Sequence, residues 1–175
     1  MKALYLLRHA KSSWADGDLA DHDRPLAPRG RKATRSLARY IAEGGIEPAL
    51  VLCSTAARAR ETLDGVSPFL GDDLDVWHEA DLYGASAKEF LRRLRRLPPA
   101  VPSVMVVGHN PGLEDLALSL VGGGDDTALA GLHAKFPTGA LASFLIPDSW
   151  AELAPGQATL TAFVVPRDLP AGQAG

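Results

Sequence analysis

The sequence contains a single cysteine, Cys53, among its 175 residues. One thiol excludes an internal disulfide, and the absence of a CxxC pair or of spaced Cys and His ligands gives no indication of a zinc site. A reducing compartment fits this composition best.

The sequence also shows neither the features typical of a secretory leader nor those typical of a membrane span. The N-terminus lacks a basic segment, an apolar core and a small-residue cleavage site, and no apolar run approaches the length that spans a bilayer. The formal net charge of −3 creates no field that would attract nucleic acid or an anionic membrane. We therefore expect a cytoplasmic protein with neither of these as a partner.

Apolar runs and helical patterns alternate along most of the chain, without repeats or low-complexity segments. This alternation predicts βα units on a largely parallel sheet. Strand-like runs at 140–146 and 159–165 predict an antiparallel pair at one side of it. The predicted fold class is three-layer α/β/α, with a largely parallel mixed central sheet and helices on both faces. The other predicted strands are 3–8, 49–53, 74–78 and 103–108, and the helices are 29–43, 55–70, 86–97 and 112–121.

The length of the chain suits one well-packed domain and is too short for two ordinary ones. We expect a single domain over residues 1–166. Residues 167–175, with the sequence RDLPAGQAG, are predicted to form a flexible C-terminal tail.

Cationic side chains follow three of the predicted strands where each strand ends. Arg8 and His9 close the first strand, Ser54 closes the second with Arg58 one helical turn further on, and His109 follows the fourth. In open α/β sheets, ligands bind beyond the carboxyl ends of the strands. We therefore expect two arginines and two histidines to converge at this edge.

Such a cluster calls for an anion. Cations repel one another, and their removal from water costs several kcal/mol each as an order of magnitude. Arginine binds phosphoryl oxygens in a bidentate fork, while histidine donates one hydrogen bond and presents a lone pair on its other nitrogen. The sequence thus predicts a phosphoryl site.

The residues of this site resemble a known family. RHA at 8–10 resembles the RHG signature of the histidine phosphatase (phosphoglycerate mutase-like) superfamily, STAARARET at 54–62 matches its S-x-x-x-R-x-x-x-T element, and GH at 108–109 matches its second histidine. With its small size and the segment DRPL at 23–26, the chain is most similar to the SixA-type phosphohistidine phosphatases. Ala10 departs from the usual glycine, and its methyl group is tolerated where the backbone does not need a positive φ.

The resemblance implies a covalent mechanism. His9 is the implied nucleophile, which forms a phosphohistidine that water then hydrolyses, while Arg8, Arg58 and His109 hold the non-bridging oxygens. Two neighbouring arginines also disfavour protonation of His9 and so preserve its lone pair. Because the arginines supply the positive charge, no metal and no cofactor are expected.

A general acid is less clearly marked. Relatives that act on alkyl phosphates use a carboxylic acid shortly after the third strand, where this chain offers Glu79 and Asp81 in HEADLYG. Asp81 aligns better and is our candidate for a fifth catalytic residue. Proton donation by a general acid typically raises the rate by about 10² to 10⁴. An alkoxide leaving group needs this donation more than an imidazole leaving group does.

Further residues are candidates for substrate binding. Two roles stay open for Arg24: it binds the substrate phosphate or the protein that carries it, or it pairs with Asp21 or Asp23. For Ser54, N-capping of the following helix is the leading explanation. The candidates for substrate binding are Arg24, Ser54, Asn110 and Glu79.

The leading functional hypothesis is a phosphohistidine phosphatase whose substrate is a phosphorylated protein of histidine phosphotransfer or phosphocarrier type. The alternative is a broad small-molecule phosphomonoesterase, because the same pocket serves both and no large cap insertion narrows the choice. From another class, a non-catalytic phosphate-binding module would not need all four pocket residues.

Overall fold

The computed structural model describes residues 1–171, and the helices and strands below are those of this range. No helix in it is both long enough and apolar enough to cross a membrane. The strands are β1 (Lys2–Arg8), β2 (Leu50–Ser54), β3 (Asp75–Glu79), β4 (Ser103–Gly108), β5 (Val121–Gly124), β6 (Leu141–Ile146) and β7 (Ala158–Val164). The α-helices are α1 (Pro28–Gly44), α2 (Ala57–Val66), α3 (Ala87–Arg95), α4 (Gly112–Leu120) and α5 (Asp126–Ala134).

The described strands form one mixed sheet in the order β3-β2-β4-β1-β6-β7-β5. β3, β2, β4 and β1 are parallel to one another, whereas β6 is antiparallel to both β1 and β7. The predicted mixed sheet and its antiparallel pair are confirmed. Because β2, β4 and β1 are adjacent and parallel, their carboxyl ends meet at one edge of the sheet.

Apolar side chains cover both faces of the sheet. One buried cluster joins Leu4 and Leu6 of β1 to α3 and α4 through residues such as Phe90 and Leu116. The other joins Leu7 to α1 and α2. Successive side chains of a strand point to opposite faces, so this division of β1 produces the predicted three layers.

The segment between α4 and β6 differs from the prediction, which assigned no element there. Residues 122–124 are glycines and offer no side-chain alternation, yet their backbone pairs with β7 at the edge of the sheet. In α5, the Asp125 carboxylate accepts the Ala128 N–H and caps the helix. The predicted helix 55–70 also ends early, because Pro68 follows α2 and starts a short 3-10 turn.

The first residues of the predicted tail, which the structure describes, contact the domain. Pro166–Asp168 form a 3-10 turn, and Leu169 packs against the α1–α2 cluster. Residues 172–175 of the predicted tail lie outside the described residues. The domain boundary at residue 166 stays a prediction.

Candidate active site

The site lies at the edge where β1, β2 and β4 end. His9 follows β1 directly and donates its backbone N–H to the Gly108 carbonyl at the end of β4. The centroids of the His9 and His109 rings are 5.1 Å apart, with their planes tilted by 51°. Arg58, in the first turn of α2, is within range to lower the pKa of both rings. The structure thus brings Arg58 and both histidines together, with Arg8 adjacent to His9.

A glycine holds the end of β1 in place. The Gly139 N–H donates to the carbonyls of Arg8 and His9, at 3.1 and 2.9 Å. Gly139 has a φ of +75°, which favours glycine, and a Cβ there would lie 2.7 Å from Pro166 Cγ. The loop before β6 therefore fixes the backbone from which the His9 side chain projects.

His9 is held as a neutral imidazole with a free lone pair. Its Nδ1 lies 2.7 Å from the Ala10 carbonyl oxygen, which can only accept, so Nδ1 carries the proton and Nε2 carries the lone pair. Burial lowers the pKa of His9 to about 3 against the opposing effect of this bond, with smaller contributions from His109 and the two arginines. At neutral pH Nε2 is therefore available as a nucleophile.

His109 is oriented by Ser54. Its Nε2 lies 2.7 Å from Ser54 Oγ, which also accepts the Ala56 N–H at 3.2 Å. The hydroxyl proton of Ser54 is available for donation to Nε2, and in the tautomer that accepts it Nδ1 of His109 carries the N–H. Burial, followed by the charge of Arg58, lowers the pKa of His109 to about 4.

Each arginine is anchored by its terminal nitrogens. Arg8 Nη1 donates to the Phe136 carbonyl at 3.1 Å. Arg58 donates from Nη1 to the Asp21 carbonyl at 2.7 Å and from Nη2 to Asp21 Oδ2 at 2.9 Å. These bonds leave Nε of each guanidinium as a further donor.

Three buried side-chain nitrogens have no hydrogen-bond partner within the described part of the chain: Arg8 Nε, Arg58 Nε and His109 Nδ1. Native proteins rarely leave buried donors unpaired, because each costs about 1–3 kcal/mol. All three belong to the residues around His9. Three oxygens of a tetrahedral phosphoryl group would satisfy them while the fourth direction from phosphorus faces an imidazole.

Comparison with known proteins agrees with this geometry. Residues 4–90 match the family model of the histidine phosphatase superfamily (branch 1). An uncharacterized protein of Mycobacterium tuberculosis is 39% identical over 163 residues, which cover 92% of this chain and 100% of that protein. The chain belongs to the histidine phosphatase superfamily.

Two solved structures place this histidine phosphatase beside SixA proteins. A protein from Agrobacterium tumefaciens assigned as phosphohistidine phosphatase SixA is 31% identical, with a TM-score of 0.78 over 94% of this chain and 97% of that chain. A Nakamurella multipartitia protein with the same assignment is 29% identical, with a TM-score of 0.79 over 94% and 96% of the two chains. The resemblance to SixA-type phosphatases is confirmed, and the protein is a phosphatase that acts on a phosphorylated substrate.

The two predicted carboxylic acids of the histidine phosphatase line a surface cavity whose lining includes neither His9 nor His109. Glu79 forms a two-pronged ion pair with Arg93. Asp81 is exposed and lines a surface cavity with Glu79 and Arg93, and within the described residues its carboxylate forms no hydrogen bond with either site histidine. The cause is the 3-10 turn Ala80–Leu82, which buries Leu82 and thereby turns Asp81 outward. The role of Asp81 or Glu79 as the general acid stays a prediction.

The other substrate-binding candidates form hydrogen bonds with protein groups around the site. Arg24 pairs with Asp21 and donates to Ser12 Oγ, so of its two predicted roles the structure displays the ion pair. Asn110 accepts the Glu114 N–H of α4 and donates to the Phe136 carbonyl that also holds Arg8. Ser54 does not cap α2, whose N-cap is Ala56.

Sequence reasoning named Asp21 only as a possible partner of Arg24 and missed Tyr83. Asp21 accepts hydrogen bonds from Arg58, Arg24 and the Tyr83 hydroxyl. The bond from Tyr83, then those from the two arginines, hold the pKa of Asp21 well below its usual range. The Tyr83 ring lies edge-on to His109 with centroids 5.4 Å apart. The i,i+3 spacing of Asp21 and Arg24 is a sequence signal for an ion pair between them. The contact between Asp21 and Arg58 depends on tertiary structure and has no such signal.

We expect Asp21→Ala to lower kcat/KM for p-nitrophenyl phosphate by about 10- to 100-fold, because a catalytic group displaced by an ångström can cost that much. The loss should be larger than in Asp21→Asn, because both variants keep the backbone carbonyl that binds Arg58 and only asparagine keeps a side-chain acceptor. Asp23→Asn is the matched control, since within residues 1–171 the Asp23 carboxylate contacts His22 alone, at 3.3 Å. Equal activity of Asp21→Ala and Asp23→Asn would contradict this role.

Thr62 supports the loop after His9. Its hydroxyl accepts the Ala10 N–H at 2.9 Å and donates to the Arg58 carbonyl at 2.7 Å. Thr62→Val keeps the shape of the side chain and leaves the buried Ala10 N–H unpaired. We expect the free energy of unfolding, measured by urea titration, to fall by about 1–3 kcal/mol. An unchanged urea midpoint would show that this bond does not stabilise the loop.

Proposed function

We propose that the protein removes the phosphoryl group from phosphohistidine carried on another protein, of histidine phosphotransfer or phosphocarrier type. The observation that carries the proposal is the set of three unpaired donors around a neutral His9. They match the three non-bridging oxygens of a phosphoryl group in number and in character. The SixA assignment of the Agrobacterium tumefaciens and Nakamurella multipartitia relatives supports the same substrate.

In the proposed first step, the lone pair on His9 Nε2 attacks phosphorus in line with the departing group. The bond between phosphorus and the substrate nitrogen breaks, the electron pair stays on that nitrogen, and the ring leaves as neutral imidazole because its other nitrogen already carries a proton in the phosphohistidine that reacts. Arg8 Nε, Arg58 Nε and His109 Nδ1 donate to the non-bridging oxygens and stabilise their charge. Water then attacks the phosphorus of phospho-His9, releases inorganic phosphate and returns the electron pair to Nε2.

The carboxylates of the site favour a nitrogen leaving group over an alkoxide. Asp21, which contacts both Arg58 and Arg24, is ionised and cannot donate a proton. Glu79 is held by Arg93, and the exposed Asp81 lines a different cavity. An alkoxide depends on a general acid, whereas imidazole is a far better leaving group. This arrangement supports phosphohistidine as the substrate over alkyl phosphates.

The test compares substrates with different leaving groups on the same enzyme preparation. A phosphohistidine peptide, p-nitrophenyl phosphate and a sugar phosphate would be assayed for kcat/KM by phosphate release. We expect the phosphohistidine peptide to exceed the sugar phosphate by about 10² or more, the low end of what a general acid supplies. A higher kcat/KM on the sugar phosphate would instead support the small-molecule phosphomonoesterase.

We expect activity to survive chelation. Arg8 and Arg58 supply the positive charge that a divalent cation would otherwise bring to a phosphoryl group. Dialysis against EDTA, followed by assay in EDTA, should leave kcat/KM for p-nitrophenyl phosphate unchanged within twofold. Loss of activity that returns when Mg²⁺ or Zn²⁺ is added back would refute the metal-independent mechanism.

A cytoplasmic location belongs to the proposal. Cys53 is buried as a free thiol, and burial raises its pKa to about 12, as expected of a structural cysteine in a reducing compartment.

A further inference from the structure

A second cationic feature lies outside the phosphoryl site. A surface cavity of about 490 Å³ runs between α1 and the segments that precede β6 and follow β7. Its lining includes four cationic side chains and, among the described residues that line it, no carboxylate. We call this cavity the basic groove, and its cations are Lys11, Arg29, Lys32 and Arg167.

The charge of the basic groove is largely uncompensated. The side chains of Lys11, Arg29 and Lys32 form no hydrogen bond or ion pair with any residue that the structure describes. Among the described residues, the only carboxylate that Arg167 approaches is that of its neighbour Asp168, at 3.9 Å, and both side chains are exposed. On a chain with a net charge of −3, this is a local positive surface that can select an acidic partner.

The basic groove opens on the same edge of the sheet as the phosphoryl site. Lys11 lies two residues after His9. Thr138 immediately precedes Gly139, whose N–H binds the carbonyls of Arg8 and His9. Val165, another lining residue, follows β7, which runs in the same direction as β1 because both are antiparallel to β6. A substrate bound at His9 can therefore extend into the groove.

The lining between the cations is largely apolar, with Ala33, Pro137, Val165 and Leu169 beside the polar Ser36 and Thr138. A bare polyanion would gain little from such a surface, whereas a peptide segment with acidic and apolar side chains would match both components. We propose that the basic groove binds an acidic segment of the phosphoprotein substrate next to its phosphorylated histidine. This inference rests on the proposed function and adds to it the chemistry of the flanking sequence.

The test uses two synthetic peptides, each phosphorylated on one histidine, with glutamate and leucine flanks in one and glutamine and leucine flanks in the other. The double variant Arg29→Gln, Lys32→Gln removes two groove charges and leaves the loop beside His9 intact. The double variant Arg35→Gln, Arg39→Gln is its control, because it removes two exposed charges of α1 that do not line the groove. The measurement is the ratio of kcat/KM for the acidic peptide to that for the neutral peptide.

We expect the wild-type ratio to exceed one and to fall about fivefold in the groove variant, the effect of two partly exposed ion pairs. The control variant should keep the wild-type ratio, and both doubles should keep wild-type activity on p-nitrophenyl phosphate. A wild-type ratio of one, or equal losses in the two doubles, would overturn the proposal.

A binding measurement separates this proposal from the phosphatase proposal. Fluorescently labelled, unphosphorylated versions of the two peptides would be titrated with the protein at low and high salt. Preferential binding of the acidic peptide that weakens in the groove variant supports the groove, even if neither phosphohistidine peptide is hydrolysed. Equal binding of the two peptides would overturn the groove, even if both phosphohistidine peptides are good substrates.

Discussion

His9→Ala should abolish phosphatase activity, with kcat on p-nitrophenyl phosphate reduced on the order of 10⁴-fold or more, as when other enzymes lose their nucleophile. The three donors around His9 would still bind a phosphoryl group, but no lone pair would remain to accept phosphorus. KM should therefore change much less than kcat. The measurement is steady-state release of p-nitrophenol, with circular dichroism to establish that the variant is folded.

His133→Ala is the matched control for this variant. His133 lies at the end of α5, is exposed and has no part in the site, so its loss should leave kcat within twofold of wild type. A second measurement identifies the intermediate: rapid acid-free quenching of a reaction with labelled substrate should trap one phosphoryl group per chain, stable in base and labile in acid. His9→Ala with a tenth of wild-type kcat, or a trapped group on another residue, would refute the nucleophilic role.

The meeting of Arg8, His9, Ser54, Arg58 and His109 was predictable because it depends on few assumptions. Each residue stands at or just beyond an apolar run, and parallel strands bring their carboxyl ends to one edge whatever the details of the connections. Recognition of βα alternation therefore sufficed to bring together segments about 100 residues apart in the chain.

The acidic residues of the site could not be predicted in the same way. Whether Asp81 or Tyr83 faces the histidines depends on how the turn at Ala80–Leu82 is anchored, and the contacts that anchor it, the burial of Leu82 and the bond from Tyr83 to Asp21, are tertiary. Asp21 reaches Arg58 from a loop without apolar periodicity, through contacts that involve three separate segments. Strand β5 could not be predicted either, because its three glycines show no side-chain alternation and pair through backbone groups alone.

Stability should decline steeply as the pH falls from about 6.5 towards 4, and histidine burial is the reason. In the folded protein the pKa values of His9 and His109 are lowered to about 3 and about 4, whereas both rings titrate near 6.5 in the unfolded chain. Between these values the unfolded state binds more protons, so the free energy of unfolding rises with pH. Each buried histidine contributes a slope of about 1.4 kcal/mol per pH unit where its protonation differs fully between the two states.

Urea titrations at a series of pH values would isolate this effect. Both proteins should lose free energy of unfolding between pH 7 and pH 4.5. We expect the loss in His109→Gln to be smaller than the loss in the wild type by about 2 kcal/mol, because the variant lacks one buried imidazole that resists protonation. Asp21 stays ionised through this range because its pKa lies well below it, and the remaining carboxylates are common to both proteins. His133→Gln, in which an exposed ring is lost, should follow the wild-type curve. Parallel curves for wild type and His109→Gln would mean that His109 accepts its proton near pH 6.5 in the folded state as it does in the unfolded state, which would contradict the lowered pKa and the stability effect derived from it.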